Sequence, residues 1–229
     1  IGLIAFCGTV YGLRSFQVSR NADSLTERAA ASREEGDYKE SIRLLQRYLR
    51  HRSDDLETWS QLATDCLSLV TTTEDFDRRD LQTAYSVVED VLRRDPENYA
   101  LRRKAIDFFM LIQRHSDVIA HIKLLHLDPE LEDDPEISVK LARCYALRGE
   151  QEKAVKELEP LLGFDSDTGK FELSLATAPN FVDAYLLMAA IYYQTGSTDL
   201  LDNIFDQAVE GNPESSKALL ERARHRRRA

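Results

Sequence analysis

Apolar residues along this chain recur at gaps of three and four, the spacing that lines one face of a helix, and such stretches alternate with short polar turns. The pattern is sharpest over 182–215. Its first half sets Tyr185, Met188, Ala189 and Tyr192 on one helical face, and Gly196 ends it, since glycine accepts the left-handed backbone that closes a helix. Ser197 or Thr198 is then expected to cap the next helix by accepting a hydrogen bond from its free N–H groups. That second helix buries Leu201, Phe205 and Ala208, and Gly211 with Pro213 stops it, because proline cannot continue the hydrogen-bond ladder. The predicted element is a helical hairpin.

Other segments read as blurred copies of this one. In 22–55 the turn falls at Gly36-Asp37-Tyr38 and Ala29 takes the small position, while Arg28 and Tyr48 depart from the pattern as an end unit with a solvent-facing side would. In 56–98, Trp59, Leu62, Ala63 and Cys66 form the first face and Ala84, Val88 and Val91 the second, closed by Asp95-Pro96. The polar surplus over 71–80 is expected to be an extended turn or a lengthened helix end. In 99–133, Ala105, Ile106 and Phe109 oppose Val118, Ile122 and Leu125, with no glycine at the turn and Asp128-Pro129 at the close. In 134–180, Asp134 caps, Pro135 takes the first helical position, and Leu141, Ala142 and Tyr145 precede Gly149, then Ala154, Leu158 and Leu161. Pro160 is expected to bend that second helix, and the surplus over 163–176 to form a flap. From 216 to 229 a sixth first helix begins, with Leu219, Leu220 and Ala223 apolar.

A hairpin of about 34 residues with small residues at Ala189 and Ala208, aromatics at Tyr185, Tyr192 and Phe205, and a closing Pro213 resembles the tetratricopeptide repeat. The resemblance extends from 22 onward. It implies an all-α fold, a right-handed α-solenoid of helical hairpins, and a non-catalytic role in binding a peptide or protein partner. Some members of the family clamp a partner's C-terminal carboxylate with lysines and asparagines; Thr26, Ala30 and Gln61 stand at those places here, so that activity is not implied.

Residues 1–13 change the picture at the membrane, because they carry no charge and are followed by Arg14 and Arg20. Thirteen helical residues reach only about 20 Å, short of the ~30 Å hydrocarbon layer, and the run reads as the tail end of a transmembrane helix within 1–20. A secretory signal core or a buried helix fits the same composition, and a lipoprotein site at Cys7 is disfavoured by Phe6 before it. Gly8 and Gly12 form a small-xxx-small pair, which alone carries little information. With the repeats, this run resembles membrane-anchored bacterial repeat proteins and implies a single-pass attachment in a cell envelope.

The net charge of −10 argues against a general nucleic-acid binder, since phosphate would be repelled over most of the surface. The arginine-rich end, Arg224 to Arg228, reads as a solvated helix face. Cys7, Cys66 and Cys144 lack paired spacing, and His115, His121 and His126 lie six and five residues apart on different faces, so neither a disulfide framework nor a metal site is signalled. No phosphate-binding glycine loop, nucleophile elbow or His-Glu-x-x-His occurs, and no catalytic residue, cofactor or small-molecule substrate is predicted.

The informative surface is then the inner face of the first helices. In 182–215 it comprises Asp183, Leu186, Ala190 and Tyr193; the same register gives Glu136, Val139, Arg143 and Ala146, then Ala100, Arg103, Asp107 and Met110, then Glu57, Ser60, Thr64 and Leu67. A partner-binding groove is predicted with Arg103 and Arg143 meeting acidic groups, Met110, Val139, Leu186 and Tyr193 packing on apolar ones, and Asp107 beside them. The competing reading pairs both arginines with neighbours such as Asp107 and Glu136. The functional alternative to a scaffold is the regulatory or substrate-presenting region of a longer enzyme or envelope assembly factor.

Overall fold

The computed structural model of the chain describes residues 24–127 and 134–228. Eleven α-helices form among these residues, and the chain divides into two compact units, the first ending at Phe108 and the second beginning at Phe109. The predicted anchor within 1–20, with Cys7, Gly8 and Gly12, lies outside the described residues, as does the Asp128-Pro129 closure. No helix among the described residues is long and apolar enough to cross a membrane.

Unit 1 contains α1 (24–34), α2 (Tyr38–Leu49), α3 (Leu56–Thr72), α4 (Arg78–Arg94) and most of α5 (Tyr99–Leu111). Aspartates start these helices: Asp37 accepts from the Glu40 amide at 3.0 Å and Asp55 from the Thr58 amide at 3.0 Å. Asp77 and Asp80 form a reciprocal capping box at the start of α4. The surplus over 71–80 therefore lengthens both helix ends and leaves a turn at 73–77. Helix α2 packs on α3 and α3 on α4, burying Leu44, Leu45, Leu62, Ala63, Cys66 and Val88. Burial pushes the Cys66 thiol up to about 12, which keeps it protonated and unreactive.

Polar burial in unit 1 was not read from the sequence. Asp65 has no exposed surface, accepts from Arg33 Nε at 2.5 Å and Nη2 at 3.0 Å, and also accepts from Ser41 Oγ at 2.6 Å. The carboxylate thus ties α1, α2 and α3 together. Its hydrogen bond raises the Arg33 pKa against the opposing effect of burial.

Unit 2 holds α6 (His115–Leu125), α7 (Pro135–Leu147), α8 (Gln151–Leu162), α9 (Val182–Thr195), α10 (Leu201–Glu210) and α11 (Ser216–Arg228). Asp134 caps α7 by accepting from the Glu136 amide at 2.9 Å, and Pro135 opens that helix. At the third hairpin's turn, where glycine is missing, Gln113 itself takes the left-handed conformation at φ 59°. The His121 ring stacks on Phe109 with centroids 4.9 Å apart, a packing role.

Two local expectations are corrected in this unit. Ser197 makes no side-chain cap; a 3-10 turn over Thr198–Leu200 intervenes, and α10 starts after Leu200 without a side-chain cap. The surplus over 163–176 is a seated hairpin rather than a flap: β1 (Phe164–Asp165) pairs antiparallel with β2 (Lys170–Phe171), followed by a 3-10 turn at Leu173–Leu175. Phe164 is 4% exposed, its ring 4.7 Å from Phe171 and 6.0 Å from Tyr192, so aromatic burial holds the hairpin down. Gly163 begins it at φ 60°, where a Cβ would sit 2.2 Å from the Glu172 carbonyl oxygen. The sixth first helix forms as α11, which buries Ala218 while Leu219 and Leu220 stay 40% and 50% exposed. Helix α8 continues through Pro160 to Leu162, and the Pro160 carbonyl accepts from the Thr177 amide at 3.0 Å.

Candidate functional site

The surface of unit 2 with binding character is built on α9. This helix is apolar on nearly every side: Ala184, Tyr185, Met188, Ala189 and Ile191 are buried, yet Leu186 and Leu187 remain half-buried and Ala190 and Tyr193 are exposed, Tyr193 by 68%. Gly196 ends it at φ 76°, its amide donating to the Tyr193 carbonyl, so the exposed tyrosine sits in the last, capped turn.

Two cavities flank the exposed strip. The larger, about 570 Å³, lies between α9, α10 and α11, with Leu186, Ala190, Tyr193, Leu201 and Phe205 on its apolar walls and Glu221, Arg224 and His225 at its α11 side. The smaller, about 300 Å³, lies between α9 and α7 and is lined by Arg143, Ala146, Leu147, Leu187, Ile191 and the strip. Both touch Ala190 and Gln194, so a single side of α9 joins them.

The predicted site residues separate on this geometry. Leu186 and Tyr193 line the larger cavity and Arg143 the smaller one. Val139 does not join them, because it is 5% exposed in the α7 core, and Met110 is half-buried near the end of α5 and lines neither cavity. Arg103 and Asp107 belong to unit 1 and are exposed on α5. There a cavity of about 320 Å³ is lined by Glu57, Ser60, Thr64, Ala100 and Lys104, with Asn98 donating to Ser60 Oγ at 3.0 Å. Arg102, beside Arg103, is 2% exposed and donates to the Pro96 carbonyl at 2.7 Å; burial lowers its pKa.

Charge pairing distinguishes the cations near α9. Glu136 is taken by Lys140 at 2.7 Å, and Arg143 makes no ion pair among the described residues. The arginine-rich α11 is instead engaged: Arg222 and Arg226 reach Asp206 at 3.4 and 2.7 Å, Arg224 holds Glu221 at 2.5 Å, and His225 Nε2 lies 3.1 Å from Asp202. Lys217 pairs with Asp183 of α9. Cys144, next to Arg143 but buried, has its thiol pushed up to about 11 by burial and offers no nucleophile.

The α11 wall was missed by the sequence reading, although its signal was present. Moving the inner-face register forward by one repeat reaches Lys217, Leu220, Arg224 and Arg227, of which Arg224 lines the larger cavity and Lys217 pairs with Asp183 of α9. Among the described residues no group of three or more His, Cys, Asp or Glu side chains is placed to hold a metal ion.

No protein-family model matches the sequence, and no curated relative matches it. Solved structures do match in shape. A crystal structure of MamA aligns at a TM-score of 0.65 with 16% identity, over 87% of this chain and 96% of that one. A tetratricopeptide repeat protein from Parabacteroides merdae aligns at 0.64 with 14% identity, over 89% and 72%. YrrB, described as a TPR protein with an unusual peptide-binding site, aligns at 0.61 with 14% identity, over 87% and 90%. Helical hairpins at this spacing, small and aromatic residues at their contacts, and these structural neighbours together give the chain the tetratricopeptide-repeat fold.

Proposed function

We propose that this chain is a non-catalytic interaction scaffold that binds a peptide, or a peptide-like segment of a protein, along the exposed side of α9 in unit 2. The observation that carries this reading is the joining of two cavities by Ala190 and Gln194 beside Arg143, an arginine with no ion pair among the described residues. Sites of this size with apolar walls and few polar groups suit ligand side chains. The fold shared with YrrB, described as peptide-binding, supports the same reading.

Selection from a random peptide display library on the full chain tests it. Peptides should be enriched, and Arg143→Glu should weaken them by about tenfold or more with the thermal midpoint nearly unchanged, since the side chain is exposed. No enrichment, or enriched peptides indifferent to Arg143→Glu, would overturn the reading.

The uncharged run over 1–13 supports attachment of the scaffold to a membrane of a bacterial envelope as part of the same proposal. Cell fractionation decides this: the chain from 22 onward should leave the membrane fraction, and equal retention would sink the anchor.

A further inference from the structure

The larger cavity has features that the binding reading does not by itself require. Its walls are apolar on α9 and α10 and polar on α11, which packs mainly on α10 and leaves a wedge between itself and α9. Into that wedge face Leu186 and Ala190 from α9 and Leu201 and Phe205 from α10, with the Tyr193 ring 68% exposed at its mouth. His225 stacks on Phe205 with centroids 4.9 Å apart and rings inclined by 27°, closing the α11 side with a third ring.

Resting on the reading above, we propose that this wedge is an anchor pocket for one large apolar side chain, leucine or aromatic, of an acidic peptide. The apolar part follows from the walls. Ordering a side chain among fixed rings buries area at low entropic cost, and an exposed tyrosine at a pocket mouth is the residue type that concentrates binding energy.

The acidic part follows from charge complementarity. The chain is acidic overall, at −10, yet Arg143 on the α7 side of α9 makes no ion pair among the described residues, whereas Arg224 and His225 on the α11 side are held by Glu221 and Asp202. The acidic groups nearest the larger cavity are already engaged, Glu221 by Arg224, Asp183 by Lys217 and Asp202 by His225. Arg143 is thus left for a ligand carboxylate, and a basic peptide meets repulsion at the same place.

The peptides enriched by display selection provide the probe. Under this proposal they carry one large apolar residue among acidic ones. Replacing that residue by alanine in the peptide, or making Ala190→Trp in the protein, weakens binding by about tenfold or more. Ala190 and Tyr193 are exposed, so Ala190→Trp and Tyr193→Ser keep the thermal midpoint, and Tyr193→Ser weakens the same peptides by a similar factor. Enriched peptides that are basic, or that bind equally well without their apolar residue or to Ala190→Trp, overturn the pocket. In that case a retained effect of Arg143→Glu leaves α9 as a peptide-binding surface, whereas the absence of any enriched peptide removes both.

Discussion

Asp65 is a fully buried carboxylate in a chain whose other inner residues are almost all apolar, and its partners are unequal. The Arg33 side chain keeps 32% exposure and can turn to water, while Asp65 cannot. Removing the arginine therefore strands a buried charge with Ser41 as its remaining donor, and Arg33→Ala should cost about 3 kcal/mol or more. Asp65→Ala leaves mainly an unsatisfied Ser41 hydroxyl and should cost less, about 1–3 kcal/mol. Urea denaturation followed through Trp59, the single tryptophan and a residue of α3 in unit 1, measures both; equal costs would refute the asymmetry. Gln113 carries a different local cost, a left-handed backbone with a side chain attached. Three other hairpin turns have glycine there, at Gly36, Gly149 and Gly196, so Gln113→Gly should stabilise unit 2 by about 0.5–1 kcal/mol in the same kind of denaturation read by circular dichroism. A loss of stability would mean that the turn is held by the glutamine side chain.

Among the elements, α11 is attached differently from the rest. Helix α7 buries Ile137, Leu141, Ala142 and Cys144, whereas the fully buried hydrophobic residue of α11 is Ala218. Beside its packing on α10, α11 is held by a set of ion pairs to α9 and α10, through Lys217, Arg222 and Arg226. Such exposed pairs are worth ~0–1 kcal/mol each and are screened by salt, whereas apolar burial is not. Hydrogen exchange of the α11 amides should accelerate between about 0.1 and about 1 M salt while α7 stays protected. Asp206→Ala, which removes the carboxylate shared by Arg222 and Arg226, should produce part of that acceleration at low salt. Salt-independent protection of α11 would show that packing, not charge, docks it. The same helix walls the larger cavity, so peptide affinity should follow its docking.

At the scale of the whole molecule, repeat proteins gain stability from neighbour contacts more than from isolated hairpins. Helix α9 packs on both α7 and α8, and the rings of Tyr185 and Tyr192 seat the hairpin through Phe171 and Phe164. Ending the chain after Asn180 should therefore uncover apolar faces of α7 and α8 and loosen the β1–β2 hairpin. The expected result is a lower thermal midpoint by circular dichroism and new binding of a hydrophobic dye. An unchanged midpoint would show that the helices before 180 stand alone. Both proposals for α9 would also lose their site in that truncation, which makes it the control for peptide binding.

The sequence by itself determined where helices form and stop, because helix faces and capping residues act within one or two turns. Ala29, Ala63, Ala142 and Ala189, read as the small positions of first helices, are all 4% exposed or less. Asp134, Pro135 and the glycines at 36, 149 and 196 stand at helix ends as their backbone preferences dictate. Tertiary structure decided what periodicity cannot encode. On the exposed-looking face of α3, Asp65 is buried because Arg33 and Ser41 come to it from other helices. Val139 leaves the groove and Arg102 enters the interior one position from the exposed Arg103. The polar surplus over 163–176 became a packed hairpin through rings far along the chain. Local spacing sets a residue's direction around its own helix axis, but burial depends on which neighbour arrives on that side, and that contact is made across the fold.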